Sequence, residues 1–73
     1  MKTIPTYRIE VRPLTQNDGG GYLAWVPDLL GCMSDGESAA EAVQNAKQAI
    51  VEWIEEAERL GHKIPEPSQA ATA

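Results

Sequence analysis

The sequence predicts a two-layer α+β domain: an antiparallel sheet of three or four short strands packed on one long helix, in the order β-β-β-α with a fourth short strand left open. Three observations predict it. Residues 7–12 alternate apolar and polar. Residues 19–38 compress a glycine turn, two short apolar runs and a helix start into one block. From Ala42 to Leu60 apolar residues recur at spacings of three and four, the mark of a helix with one buried stripe.

Taken in order, Tyr7, Ile9 and Val11 share one face of the first strand and Arg8, Glu10 and Arg12 the other, since side chains alternate across a strand. Pro5 and Pro13 bracket it and cannot donate within a ladder. Thr15 to Gly21 is a turn of Asn, Asp and Gly, residues that accept left-handed backbone. A phosphate cradle would need a Lys and a Ser or Thr at a helix start after the glycines; a strand follows instead. That strand, Tyr22 to Val26, pairs with the first as a hairpin, and Pro27 ends it. Leu29-Leu30-Gly31 forms an apolar corner, Cys32-Met33-Ser34 a third short strand, and Asp35-Gly36 a turn.

Ser38-Ala39-Ala40-Glu41 is a capping box, with the Ser38 hydroxyl accepting from the Glu41 amide and the Glu41 carboxylate reaching back to the amide of Ser38. The helix then runs to about Leu60, and Gly61 supplies its left-handed cap. Its stripe comprises Ala42, Val43, Ala46, Ala49, Ile50, Trp53, Ile54, Ala57 and Leu60. Glu55 and Arg59 form a favourable i, i+4 pair on the other side. At roughly 1.5 Å per residue the helix is about 33 Å long. His62 to Ser68 is extended, because prolines push the residues before them out of helical geometry. The domain is expected to span residues 1–68, with 69–73 a disordered tail.

A chain of 73 residues is one small domain that buries only about 60% of its unfolded surface. Disulfides, metals or oligomerisation normally compensate. Cys32 is the only cysteine and His62 the only histidine, so no internal disulfide and no metal site is expected, and self-association or a partner remains. The formal charge of −5 does not suit a phosphate backbone but suits a basic protein partner. The N-terminal residues lack an apolar run, and no stretch reaches the roughly 18 apolar residues of a membrane span; with a lone thiol, the expected location is the cytoplasm.

The carboxylates are scattered, whereas a two-metal nuclease needs several converging on one point. Asp28, Asp35 and Glu37 are better explained as corner and helix-entry residues. Cys32, among apolar neighbours, is a small buried hydrophobe. No catalytic residue and no cofactor is expected. Trp25 is the sharper case. If Tyr22, Ala24 and Val26 face the helix, Leu23 and Trp25 meet the Arg8, Glu10 and Arg12 face, where a large aromatic among arginines fits an interface or an isolated cation–π pair. In the reversed register Trp25 is core.

Gly20-Gly21-Tyr22, Val26-Pro27-Asp28-Leu29 with Gly31-Cys32, Asp35-Gly36 leading into Ser38, then Glu41-Ala42, Asn45-Ala46, Trp53-Ile54, Gly61 and Ile64-Pro65-Glu66-Pro67 resemble, in that order, the HicB-like antitoxin family. The resemblance spans about Tyr7 to Ser68. It implies a partial RNase H-like core without nuclease activity, binding to a small basic HicA-type RNA-cleaving toxin, and a homo-oligomer, dimer or higher. Many members also carry a C-terminal DNA-binding domain; these 73 residues show no recognition helix or basic segment, so direct DNA binding is not expected of them. From position and chemistry, Trp25, Asp28, Leu29, Asp35 and Glu37 are expected to face partners. The competing expectation is a stand-alone oligomeric structural or regulatory domain without a toxin.

Overall fold

In a computed structural model, which describes residues 7–67, three strands and one helix form two layers. Strands β1 (Glu10–Pro13), β2 (Tyr22–Trp25) and β3 (Met33–Gly36) are followed by helix α1 (Ala39–Leu60). The sheet order is β1-β2-β3, and both pairings are antiparallel. This is the α+β arrangement expected. No further strand occurs among the described residues. The place for a fourth strand and the expected 68/69 boundary lie outside them.

The register fixes the two faces. Glu10 lies opposite Trp25, Val11 opposite Ala24 and Arg12 opposite Leu23. Across β2, Leu23 pairs with Asp35, Ala24 with Ser34 and Trp25 with Met33. Val11, Tyr22 and Ala24 therefore face α1 and pack with Ala42 and Ala46. Glu10, Arg12, Leu23, Trp25, Met33 and Asp35 share the opposite face.

Strand β1 is shorter than the alternation predicts. Tyr7 to Ile9 lie outside it, although Tyr7 is buried. The cause is on the neighbouring strand. Opposite Ile9 and Arg8 the register would place Val26 and Pro27; the Val26 amide faces β3, where it donates to the Cys32 carbonyl at 2.9 Å, so the next bond to the first strand would have to come from Pro27, which has no amide hydrogen. The ladder stops there. Pro13, expected outside the strand, is its last residue, which an edge strand tolerates. The turn before β2 contains a 3₁₀ helix, Gln16–Asp18, capped by the Thr15 side chain.

Strand β3 is shifted relative to expectation. Asp35 and Gly36, read from sequence as a turn, are its last two residues, because they find partners in Leu23 and Tyr22. The turn falls at Glu37 and Ser38.

Helix α1 begins and ends as its sequence requires. The Glu41 amide donates to the Ser38 hydroxyl at 3.1 Å. The Glu41 carboxylate, however, accepts from the Glu37 amide rather than that of Ser38, so the box closes one residue further out. At the other end the Gly61 amide donates to the Glu58 carbonyl at 3.1 Å and that of His62 to Ala57 at 2.8 Å, a Schellman motif. Arg59 pairs with Glu56, not with Glu55 as the i, i+4 rule suggests.

The core changes character along the helix. At its N-terminal end Ala24, Ala42 and Ala46 meet; small side chains let the helix lie close to the sheet. Towards its C-terminal end the gap widens and is filled by Tyr7, Val26, Leu29, Cys32, Ile50 and Ile54. Trp53, expected in the core, packs at the edge of this cluster. Its indole donates to the Leu30 carbonyl at 2.9 Å, pinning the helix to the loop after β2. The stripe ends before Leu60, which is 49% exposed.

Candidate interaction surfaces

The 26–32 loop sorts the two adjacent leucines. The Leu29 amide donates to Val26 and the Cys32 amide to Leu29, each at 3.0 Å. These two tight turns aim Leu29 inward, where it is 1% exposed, and Leu30 outward, where it is 91% exposed. Leu29, expected to face a partner, therefore lies in the core, and Leu30 presents the apolar surface in its place. Sequence spacing cannot separate two consecutive leucines in a corner; only the turn geometry does.

Beside Leu30 runs an open groove of about 390 Å³ between β3 and the C-terminal half of α1. Cys32, Met33, Ala57 and Leu60 lie along it, with the ring of Trp53, and Glu52 and Glu56 border it. Met33 is 54% exposed. Sequence reasoning missed this groove, although Met33 and Leu60 were visible as large apolar residues near element ends. Burial pushes the Cys32 thiol above its ordinary value, as expected of a structural cysteine.

The uncovered sheet face is the second surface. Trp25 and Asp35 stand on it with Leu23 and Met33, and Arg12, Leu23, Trp25 and Met33 outline a shallow hollow of about 270 Å³. The register in which Trp25 lies outside the core is the one observed. Arg8 pairs with Glu10 at 3.0 Å on the first strand's segment.

Glu37 follows β3 at the opposite end from the groove. There it shares a polar hollow with Asp35, Glu41 and Asn45. The Asn45 side-chain amide donates to the Asp35 backbone carbonyl at 2.8 Å, which occupies an acceptor on the outer edge of β3 and blunts that edge against strand addition. Asp28 lies at the other end of the sheet. Its charge, after burial and together with Glu66, raises the Tyr7 phenol above 10.0. The Tyr7 hydroxyl donates to the Pro65 carbonyl, tying the first described residue to the segment after the helix. The five sequence-derived residues thus divide among one sheet face, its two ends and the core.

Among the described residues no three His, Cys, Asp or Glu side chains are grouped to hold a metal. No helix among them is long and apolar enough to cross a membrane. The described residues thus present an open groove bordered by carboxylates and a shallow hollow on the uncovered sheet face.

Comparison with known proteins gives the family. Residues 7–73 match the HicB_like antitoxin of bacterial toxin-antitoxin system. A UPF0150 protein of Thermoplasma acidophilum is 38% identical over 52 residues, covering 71% of this chain and 75% of that protein. A UPF0150 protein of Synechocystis is 30% identical over 59 residues, covering 81% and 77%, and one of Helicobacter pylori is 45% identical over 40 residues, covering 55% and 56%. No solved structure matches this chain. The chain belongs to the HicB-like antitoxin family.

Proposed function

We propose that this chain is an antitoxin that binds and neutralises a small basic HicA-type mRNA-cleaving toxin in the cytoplasm and has no catalytic activity of its own. The family match over residues 7–73 carries this reading. The charge and the groove support it. A net charge of −5 attracts a basic partner and speeds the encounter. The groove supplies apolar area at Met33, Trp53 and Leu60 beside the carboxylates of Glu52 and Glu56, which suits a basic protein that inserts an apolar anchor. Leu30 extends this surface. Asp28 and Glu37 are proposed as flanking contacts for basic side chains. Trp25 and Asp35 remain proposed partner-facing residues, on a surface of mixed charge.

The test is co-expression with the short basic protein encoded beside the gene, followed by RNA cleavage by that protein with and without this chain. A stable complex with suppressed cleavage is expected. Glu52→Lys and Leu60→Asp, both at exposed positions, are expected to restore cleavage while the fold persists. Cleavage unaffected by the wild-type chain refutes the reading.

A further inference from the structure

We infer that Leu30 is the anchor by which this chain holds its partner: it enters an apolar pocket flanked by basic side chains on that protein, and Trp53 is its positioning residue. The inference rests on the antitoxin reading above and goes beyond it by naming the residue that carries the affinity and the pocket that receives it.

A lone exposed leucine is ordinary. What sets Leu30 apart is how its backbone is held. Its neighbour Leu29 is sunk in the core. The Leu29 and Cys32 amides, each bonded at 3.0 Å, close two successive turns, and the Val26 amide shuts the base of the loop on the Cys32 carbonyl at 2.9 Å. Leu30 and Gly31 are the central pair of the second turn. Gly31 has φ +80°, the left-handed value required at the third residue of a type II turn. To become a type I turn, the peptide between Leu30 and Gly31 would have to rotate by about 150°. The oxygen of that peptide is the Leu30 carbonyl, and the Trp53 indole donates to it at 2.9 Å. The indole is carried on a 22-residue helix, so the peptide is tied to the most regular element of the fold. Leu30 is therefore exposed yet fixed before any partner arrives.

That combination favours binding. Ordering a loop at an interface costs affinity, and a loop already in its bound form avoids the cost. The position fits as well. Gly31 and Trp53 line the groove, so Leu30 stands at its rim and the two contacts are continuous. Glu52 and Glu56 border the same groove. The complement of this surface is a pocket that takes the leucine, with Lys or Arg beside it to meet the two carboxylates. An apolar centre within a charged rim is the usual anatomy of a dominant contact.

The test is the dissociation constant of the full 73-residue chain for the short basic protein encoded beside its gene. Leu30→Ala is expected to weaken binding about 10–100-fold, and Leu30→Met, which conserves volume, to stay within about fivefold of wild type. Leu30→Asp separates anchoring from electrostatics. A further carboxylate left in water would strengthen the attraction for a basic partner; carried into an apolar pocket it weakens binding, by about 100-fold or more. Trp53→Phe keeps a ring in the groove and removes the donor. It is expected to weaken binding about 3–10-fold in the wild-type background and less than about twofold in the Leu30→Ala background, where nothing remains to be positioned. A Trp53 that acts through stability or direct contact costs the same in both backgrounds, and that result overturns its positioning role. A complex that still suppresses cleavage and is not weakened by Leu30→Ala or Leu30→Asp overturns the anchor and leaves the proposed function standing. Absence of any complex with the wild-type chain overturns both.

Discussion

Gly36→Ala tests the packing of the helix on the sheet most directly. Gly36 ends β3, and its backbone does not have positive φ, so conformation alone does not demand glycine there. Space does. A Cβ at this position would lie 2.6 Å from the Ala42 amide nitrogen, 2.9 Å from the Glu41 carbonyl carbon and 3.0 Å from the Ala42 Cα. All three atoms are helix backbone and cannot rotate away. A comfortable contact is about 3.5 Å, so the first turn of α1 must retreat by about 0.9 Å from its 2.6 Å approach. Such overpacking costs about 1–3 kcal/mol. The retreat also stretches the Asn45–Asp35 hydrogen bond of 2.8 Å, worth about 1 kcal/mol, and loosens Ala42 and Ala46 against Ala24. The total is about 2–4 kcal/mol. A domain of this size commonly has only about 3–5 kcal/mol to lose. Urea unfolding followed by circular dichroism, at one fixed protein concentration, is expected to show a midpoint lower by about 2–4 M, for a slope near 1 kcal/mol per M. Gly61→Ala is the control. Gly61 has φ +73° with nothing within 4 Å of its Cβ position, so it carries only the left-handed backbone penalty of about 1 kcal/mol. A Gly36→Ala protein within 0.5 kcal/mol of wild type, or more stable than Gly61→Ala, would refute the close-approach argument.

Three other outcomes follow from the same structure. Leu29→Ala, at a 1% exposed position, is expected to cost about 2–5 kcal/mol in the same titration, and Leu30→Ala, at a 91% exposed one, less than about 0.5. Tyr7 is held neutral by burial first and by the charges of Asp28 and Glu66 after it, so its phenol titrates above 10.0. Its contribution is fully present below that value and is lost as pH rises through the folded-state value; wild type is expected to lose more stability on alkaline titration than Tyr7→Phe, and parallel curves would contradict the assignment. Cys32, 4% exposed and with its thiol raised by burial, is expected to resist maleimide in the native protein and react at the free-thiol rate in urea; immediate native labelling would show that the groove opens to its floor.

Most of the secondary structure was legible because its causes are local. Ser38 and Glu41 fix the helix start, Gly61 its end, and the spacing of Ala46, Ile50 and Ile54 its buried side. Alternation alone put Trp25 on the face of Arg12 once the hairpin register was chosen, and it also kept the reversed register open. The errors fall where local rules meet long-range partners. Asp35-Gly36 carries a turn signal, yet β2 offers it a ladder. Tyr7 to Ile9 alternate like a strand, yet Pro27, opposite them, has no amide hydrogen to continue the ladder. Arg59 could reach Glu55 or Glu56, and side-chain rotamers chose Glu56.

The sequence by itself determined the β-β-β-α order, the helix and its caps, the acidic charge and the family, since each depends on residue type and spacing along one stretch of chain. Only the tertiary structure decided which of two adjacent leucines is core and that Asn45 shields the edge of β3. It alone placed Met33 and Leu60 on one groove and set Arg12 and Asp35 at opposite sides of one face. Those are relations between residues distant in sequence, fixed by register and by how closely a helix of small residues can approach its sheet.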